Sequence, residues 1–244
     1  NSLDKEKQTD RVQKIPITEL VPFKDHPFKV VEDESMLRTT ESISMFGVLT
    51  PLIARPTEAG KYEIISGHRR AHAAEAVGLT EVPVIVRDMD DDVAKILVVD
   101  SNLQRENILP SERAFAYKMK RDAMSRQGER TDLTSTQLVS KLRTSEIIGE
   151  SGGDSRETVR RYIRLTELIP EILQMVDGGK IALTPAVELS FLTKLEQRDL
   201  LETMESEDCT PSLSQAIQMK RLSQSGELDI DRIFDILREP KANQ

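Results

Sequence analysis

The chain has 244 residues, 34 Lys and Arg against 42 Asp and Glu (formal net charge −8), one Cys and no Trp. A single Cys excludes a disulfide framework and a Cys-built zinc site, no apolar run approaches the ~20 residues of a membrane span, and the length admits one large domain or two or three small ones. Taken whole, a charge of −8 argues against nucleic acid as a partner.

Residues 1–14 read as a polar, charged arm rather than a signal peptide, and the absent initiator Met suggests a trimmed or engineered start. Together with the lone Cys this suits a cytoplasmic location. Ile15–Leu20 alternates as a short strand, and Pro22 and Pro27 break the loop that follows. Asp33 is an N-cap for a helix carrying Leu37, Thr40, Ile43 and Phe46 on one face, and Gly47 ends it. Leu49–Arg55 and Tyr62–Ile65 read as strands around a turn at Glu58-Ala59-Gly60. Arg69–Val77 is Ala-rich and helical, closed by Gly78. Val82–Val86 is an apolar strand, and Asp90 to Asp92 cap a helix through Val93, Leu97 and Val98.

After Gln104 the pattern is helical throughout. Pro110 fits a first helical position, with periodicity to about Gln127 and an interruption at Gly128-Glu129-Arg130. Ser135–Leu142 is a short capped helix. Asp154 and Glu157 form a capping box for a helix over Ser155–Thr166. Pro170–Val176 follows, stopped by Gly178-Gly179. Thr184-Pro185, Thr193, Thr210-Pro211 and Asp229 each start a further helix. The expected division is an arm (1–14), a mixed domain (15–105), an all-α domain (106–208) and a short helical segment (209–244).

The charge is unevenly spread, with residues 1–100 at −5, 101–168 at +3 and 169–244 at −6. A basic centre is thus flanked by acidic ends, and the total conceals a surface that can meet phosphates. Three constellations carry chemistry. Ser66-Gly67-His68-Arg69-Arg70 lies between a strand and a helix, where unpaired N–H groups, the helix dipole, a glycine and two forked guanidiniums converge on an anion. It is not a Walker A loop, and the bland alternative is a tight turn with two exposed arginines. Ser101 to Arg105 ends one helix before Pro110 begins another. Alone it is a helix cap; beside a phosphate loop, Asn102 could complete a nucleotide and metal site. In Ser155–Thr166, Val159, Tyr162, Ile163 and Thr166 share one face, while Arg160, Arg161 and Arg164 project opposite and Arg156 flanks them. With Ser135–Leu142 before it, this matches a helix-turn-helix. Gln137, Ser155, Arg156, Thr158 and Arg160 are placed to reach DNA, and Arg161 and Arg164 to meet phosphates. The intervening Arg143–Gly153 is long for a compact turn, and the alternative is a bundle helix with a solvated face.

Gly47-Val48-Leu49-Thr50-Pro51, then Gly67-His68-Arg69-Arg70, then Asn102-Leu103-Gln104-Arg105 with Pro110-Ser111-Glu112-Arg113-Ala114, resemble three ordered boxes of the ParB-type (ParB/RepB-like) DNA-partition family. The resemblance spans roughly residues 12–205. It implies an α+β N-terminal ParB/sulfiredoxin-like domain, followed by an all-α helix-turn-helix domain and a short helical tail. It also implies binding of a centromere-like double-stranded DNA site, CTP and Mg²⁺, a homodimer, and partnership with a ParA-type ATPase. Carried across by position, Gly47, Thr50, Pro51, Gly67, His68, Arg69, Arg70, Asn102 and Arg105 would bind the nucleotide, with Asn102 also at the metal. His68 and Ser101 stand where the family usually has Glu; losing the second carboxylate argues against efficient CTP hydrolysis more than against binding.

The N-terminal fold also resembles sulfiredoxin, whose catalytic Cys follows the corresponding Gly; here His68 follows Gly67 and the one Cys is Cys209, which excludes that chemistry. A metal-dependent nuclease needs clustered carboxylates, and Asp90 to Asp92 read as a helix cap. A ParB-like transcriptional regulator or nucleoid-occlusion factor would use the same parts without segregation.

Overall fold

The computed structural model describes residues 11–131 and 153–239, apart from Asp25, Lys29, Val31, Glu106 and the side chains of 128–131. The chain divides into two units, Asn1–Gln104 with Ala123–Leu133, and Arg105–Asp122 with Thr134–Gln244. The Ser135–Leu142 helix and Gln137 lie outside the described residues.

The first unit is built on a five-stranded mixed sheet. Its strands are β1 (Val12–Pro16), β2 (Leu20–Val21), β3 (Leu52–Pro56), β4 (Tyr62–Ser66) and β5 (Glu81–Val86), in the spatial order β1-β5-β3-β4-β2. The single strand expected over Ile15–Leu20 is two strands on opposite edges of this sheet. Pro16 ends β1, one 3₁₀ turn (Ile17–Glu19) follows, and β2 pairs with β4 on the far edge. Pro has no N–H to extend a ladder, so the chain leaves the sheet there. Ile17 N–H then bonds the Thr80 carbonyl at 3.0 Å.

Helix α1 (Glu34–Phe46) begins at Asp33, whose carboxylate accepts from Met36 N–H at 2.7 Å, and stops at Gly47 with φ 69°. Met36 and Ile43 are its buried residues; Leu37 and Phe46 are 60% and 64% exposed. The docking stripe is therefore rotated by one residue from the expected one, because positions seven apart on a helix align and those six apart do not. Helix α2 (His68–Ala76) packs beside α1, and the small side chains of Ala71, Ala73 and Ala74 permit close approach. Helix α3 (Asp91–Asp100) uses all three carboxylates of the Asp90–Asp92 run structurally. Asp90 caps Val93 N–H at 2.8 Å, Asp91 pairs with Arg55 at 2.6 Å, and buried Asp92 holds Arg126 at 2.7 Å.

The second unit contains helix α4 (Pro110–Thr131, whose last turns count with the first unit), α5 (Arg156–Leu165), α6 (Pro170–Asp177), α7 (Leu183–Leu189), α8 (Lys194–Glu207), α9 (Leu213–Ser225) and α10 (Ile230–Arg238). The interruption expected at Gly128 does not occur: one Gly costs a helix only about 1 kcal/mol, less than a 22-residue helix needs to break. Three helix starts also differ from expectation; the first is α7, which begins at Leu183 after Ala182 rather than at Thr184-Pro185. Ser155, not Asp154, caps α5, accepting from Thr158 N–H at 3.1 Å. Ser212, not Thr210, caps α9, in a reciprocal capping box with Gln215. Leu165, Ile172, Leu189, Leu200, Met219 and Ile233 are fully buried in one core. Residues of α9 and α10, expected to form a separate segment, thus share the core that supports α5. Gln197, wholly buried, staples it with bonds to Ile169 N–H (2.8 Å), Glu167 O (3.1 Å) and Leu192 O (2.9 Å).

Candidate anion loop and nucleic-acid interface

Gly67 joins β4 to α2 with φ 100°, a backbone conformation that favours glycine. A Cβ there would stand 3.0 Å from both Leu52 Cγ and Arg70 Nη2. The loop is therefore shaped by the absence of a side chain, and it leaves the first turn of α2 with unpaired N–H groups. Arg70 folds back beneath it, its Nη1 donating to the Thr50 carbonyl and to the Pro51 carbonyl at 2.8 Å. Burial lowers the Arg70 pKa from the ordinary arginine value without discharging it. Thr50, Pro51, Gly67 and Arg70 are thereby brought together.

Arg69 takes a different partner. Its Nη2 donates to Asp33 Oδ1 at 2.9 Å, so the carboxylate that caps α1 also pairs with the anion loop. His68 turns into the domain. Phe23 N–H donates to its Nε2 at 3.4 Å, and the His26 ring lies 4.0 Å away, centroid to centroid. Burial, and secondly the charge of His26, lower its pKa to about 3, so the imidazole is neutral at physiological pH. The positive field of the loop comes chiefly from Arg70 and the helix dipole, with Arg69 balanced by Asp33 and His68 as a neutral support. Gly47 forms the C-cap of α1.

Asn102 stands just past α3, its Nδ2 donating to Val98 O at 2.8 Å and Ser101 Oγ at 3.2 Å. These bonds fix the orientation of the amide. Among the described residues no three His, Cys, Asp or Glu cluster as a metal site. Arg105 belongs to the second unit.

In the second unit, Val159 and Leu165 of α5 are buried, and Tyr162 packs edge-on against Tyr117 at 6.1 Å. Asp154, just before the cap, is drawn inward. It accepts from the Tyr117 hydroxyl and from Arg113 Nη1 at 3.3 Å, and Arg113 in turn lies over the Tyr162 ring at 5.4 Å. Burial and then Asp154 raise the Tyr117 pKa well above the usual phenol value. The Asp154 carboxylate beside the N-terminal end of α5 is thus balanced by a cation and a hydroxyl. Arg160 is exposed, and Ser155 and Thr158 sit together at the first turn, hydroxyls 2.9 Å apart. Arg156 is half-buried. Arg161 Nη2 donates to Thr184 Oγ1 at 2.6 Å, while Arg164 donates to Ser190 Oγ at 3.0 Å and to Ser190 O at 2.7 Å. Helical spacing placed the arginines on α5; it could not place Thr184 or Ser190, which come from the α7 segment 23 and 26 residues further along. Asp33, Tyr117 and Asp154 were equally invisible as site residues, because their partners lie more than 35 residues away.

A glycine-shaped loop on a mixed sheet and an arginine-bearing helix in an all-α unit are the two features that define the architecture of this chain. Residues 1–103 match the ParB N-terminal domain family, and the chain belongs to the ParB family. It is 33% identical to the chromosome-partitioning protein Spo0J of Thermus thermophilus over 78% of this chain and 62% of that one. It is also 32% identical to the nucleoid occlusion protein of Lysinibacillus sphaericus, over 71% of this chain and 52% of that one. The chain spans less than two thirds of the length of these relatives. Its fold is similar to that of a pNOB8-like ParB-N domain (TM-score 0.55, 17% identity, 94% of this chain and 98% of that one). No helix among the described residues is long and apolar enough to cross a membrane.

Proposed function

We propose that this chain binds a specific DNA site of a partition system through α5 and is gated by CTP at the Gly67–Arg70 loop. The observation that carries the reading is the pairing, in one chain, of the Thr50–Pro51–Gly67–Arg70 cradle with an α5 whose arginines present charge. The cradle suits a triphosphate: N–H groups of the first turn of α2, the fork of Arg70 and the cation of Arg69 all favour a polyanion. Competition by phosphate for Arg69 would free Asp33 to remain a helix cap. Mg²⁺ fits as an ion held chiefly by phosphate oxygens and water, with Asn102 as the protein ligand, since Mg²⁺ dehydrates reluctantly and rarely sits in an all-protein cage. Bound there, it would neutralise phosphate charge. Ser101 in place of a carboxylate makes turnover slow; Ser101→Glu is expected to raise CTP hydrolysis, and no change would sink that account.

On α5, Arg160, Ser155, Arg156 and Thr158 are assigned to the DNA surface, with Gln137 from the preceding segment. Arg161 and Arg164 supply charge along the same face. The functional unit is a homodimer in the nucleoid- or plasmid-associated cytoplasm, partnered by a ParA-type ATPase. Likeness to nucleoid occlusion proteins supports a second reading, the same DNA and nucleotide machinery without a segregation role. Genome-wide crosslinking of the full chain with and without CTP depletion tests the function. A sharp site with flanking signal that shrinks on depletion is expected; diffuse signal indifferent to CTP overturns the reading. Stimulation of a neighbouring ParA-type ATPase separates partition from the second reading. Calorimetry tests the pocket: Arg70→Ala should lose CTP binding, and unchanged affinity would remove the loop from the assignment.

A further inference from the structure

The arginines of α5 differ from others in this molecule in the kind of partner they take. Arg69, Arg113 and Arg126 pair with the carboxylates of Asp33, Asp154 and Asp92. Arg161 and Arg164 are held by hydroxyls and a backbone carbonyl, and among the described residues neither forms an ion pair. A neutral tie fixes a guanidinium in space and leaves its charge uncancelled.

Arg164 is the more firmly held. Ser190 Oγ donates to Val187 O at 2.7 Å, which commits its hydroxyl hydrogen and turns a lone pair toward Arg164 Nε. The Arg164 guanidinium carbon also lies 4.1 Å from the ring centroid of Phe191, the residue after Ser190. The same ring carries a second cation, Lys220 Nζ of α9 at 3.9 Å, and Lys220 is paired with Glu188 of α7 at 2.8 Å. One aromatic ring therefore joins α5, the α7 segment and α9. Phe191 is 37% exposed, so part of this ring is solvent-accessible rather than sealed in the core.

We propose that Phe191 is a positioning residue for DNA recognition: it clamps Arg164 as an anchored, uncancelled charge and so sets the rotation at which α5 offers Arg160 and Arg156 to bases. On this account Arg164 acts by aiming the helix rather than by grasping a phosphate, and α9, through Lys220, belongs to the reading machinery. The inference rests on the proposal that α5 reads DNA.

The test uses the full chain and two duplexes, one enriched by the wild-type protein from a randomised library and one of random sequence. Phe191→Leu keeps an apolar side chain and removes the ring. It should weaken binding to the enriched duplex about fivefold, the order of a partly exposed cation–π contact, and change binding to the random duplex less than about twofold. In Phe191→Leu the Arg164 Nε–Hε NMR signal, sharp in the wild type because the guanidinium is held, should broaden when both proteins are recorded free of DNA. Phe191→Tyr retains the ring and should restore both readouts. Lys220→Met, at a partly exposed position, should shift selectivity the same way by about threefold, and it serves if Phe191→Leu does not fold. Unchanged selectivity in Phe191→Leu or, where that variant fails to fold, in Lys220→Met overturns the proposal. So does an equal loss on both duplexes, or an Arg164 signal that stays sharp in Phe191→Leu. If the wild type enriches no sequence, the DNA reading fails and this proposal with it. If Arg160→Glu abolishes enrichment while Phe191→Leu leaves selectivity intact, only the positioning role fails.

Discussion

The guanidiniums of Arg70 and Arg164 are each bonded to backbone carbonyls, but the two ties have different origins and consequences. Arg70 is held by Thr50 and Pro51, which immediately precede the strand that flanks its own loop, and the space it occupies exists because residue 67 has no Cβ. Arg164 is held by Ser190, on a segment beyond the next two helices, and by the ring that follows. The anion loop is thus built from a local turn whose shape is coded in a few adjacent residues. Helix α5 is built from an amphipathic stripe whose orientation is coded by distant tertiary partners. A loop of the first kind is intolerant of added volume, whereas a helix of the second kind is sensitive to charge and to its supports.

The largest expected effect follows from charge. Arg160→Glu with Arg161→Glu reverses two cations on the exposed side of α5, and each such contact carries about 1–3 kcal/mol. Site-specific binding should fall by at least about a hundredfold in a footprinting titration, with the melting temperature changed little. Protection of the same DNA site by the double mutant would place recognition elsewhere.

Volume gives the next effect. Gly67→Ala must hold a Cβ at φ 100° and 3.0 Å from Leu52 Cγ. The strained conformation and the contact together should cost about 2–3 kcal/mol in denaturant unfolding and abolish CTP binding. Nucleotide-free binding to DNA should survive, because α5 and its supports belong to the other unit. Wild-type stability in Gly67→Ala would mean the loop is less tightly determined than the contrast requires.

A smaller change probes the support of α5. Tyr117→Phe removes the hydroxyl that Asp154 accepts from and leaves Arg113 to hold the carboxylate. Hydrogen bonds to a charged group contribute about 1.5–3 kcal/mol, so unfolding should be easier by about 2 kcal/mol. A loss under about 0.5 kcal/mol would show that Arg113 alone holds the carboxylate.

These contrasts also explain what the sequence could reveal. The anion loop was legible because glycine, arginines and the strand-to-helix change are contiguous. Helix α5 was legible from its 3.6-residue period, and Gly47, Pro110 and Thr193 marked helix ends by local chemistry alone. The Asp154 misassignment has a physical cause: a capping signature describes which side chains can cap, and Tyr117 and Arg113 claimed that carboxylate from another helix. The rotated face of α1 is similar. Leu37 and Phe46 are as apolar as Met36 and Ile43, so only the position of the sheet decides which pair is buried. Likewise nothing near Arg164 in sequence announces Phe191.

His68 offers the subtlest test, silent at neutral pH. Its pKa falls from the ordinary value near 6.5 to about 3 in the folded protein. Between those values the unfolded chain carries a proton on this imidazole that the native state excludes, so stability falls as the pH falls. The slope is about 1.4 kcal/mol per pH unit at most, beginning below about pH 6.5 and ending near pH 3. Carboxylates titrate in the lower part of that window, so the informative quantity is the difference between wild type and His68→Gln, best read from pH 6 to 5. Glutamine can accept from Phe23 N–H but does not ionise. The variant should therefore lose stability less steeply than wild type on acidification. Parallel curves would mean that His68 protonates freely in the native state. The loop would then carry a third cation, and the contrast between a neutral, shape-determined cradle support and the uncancelled charges of α5 would fail.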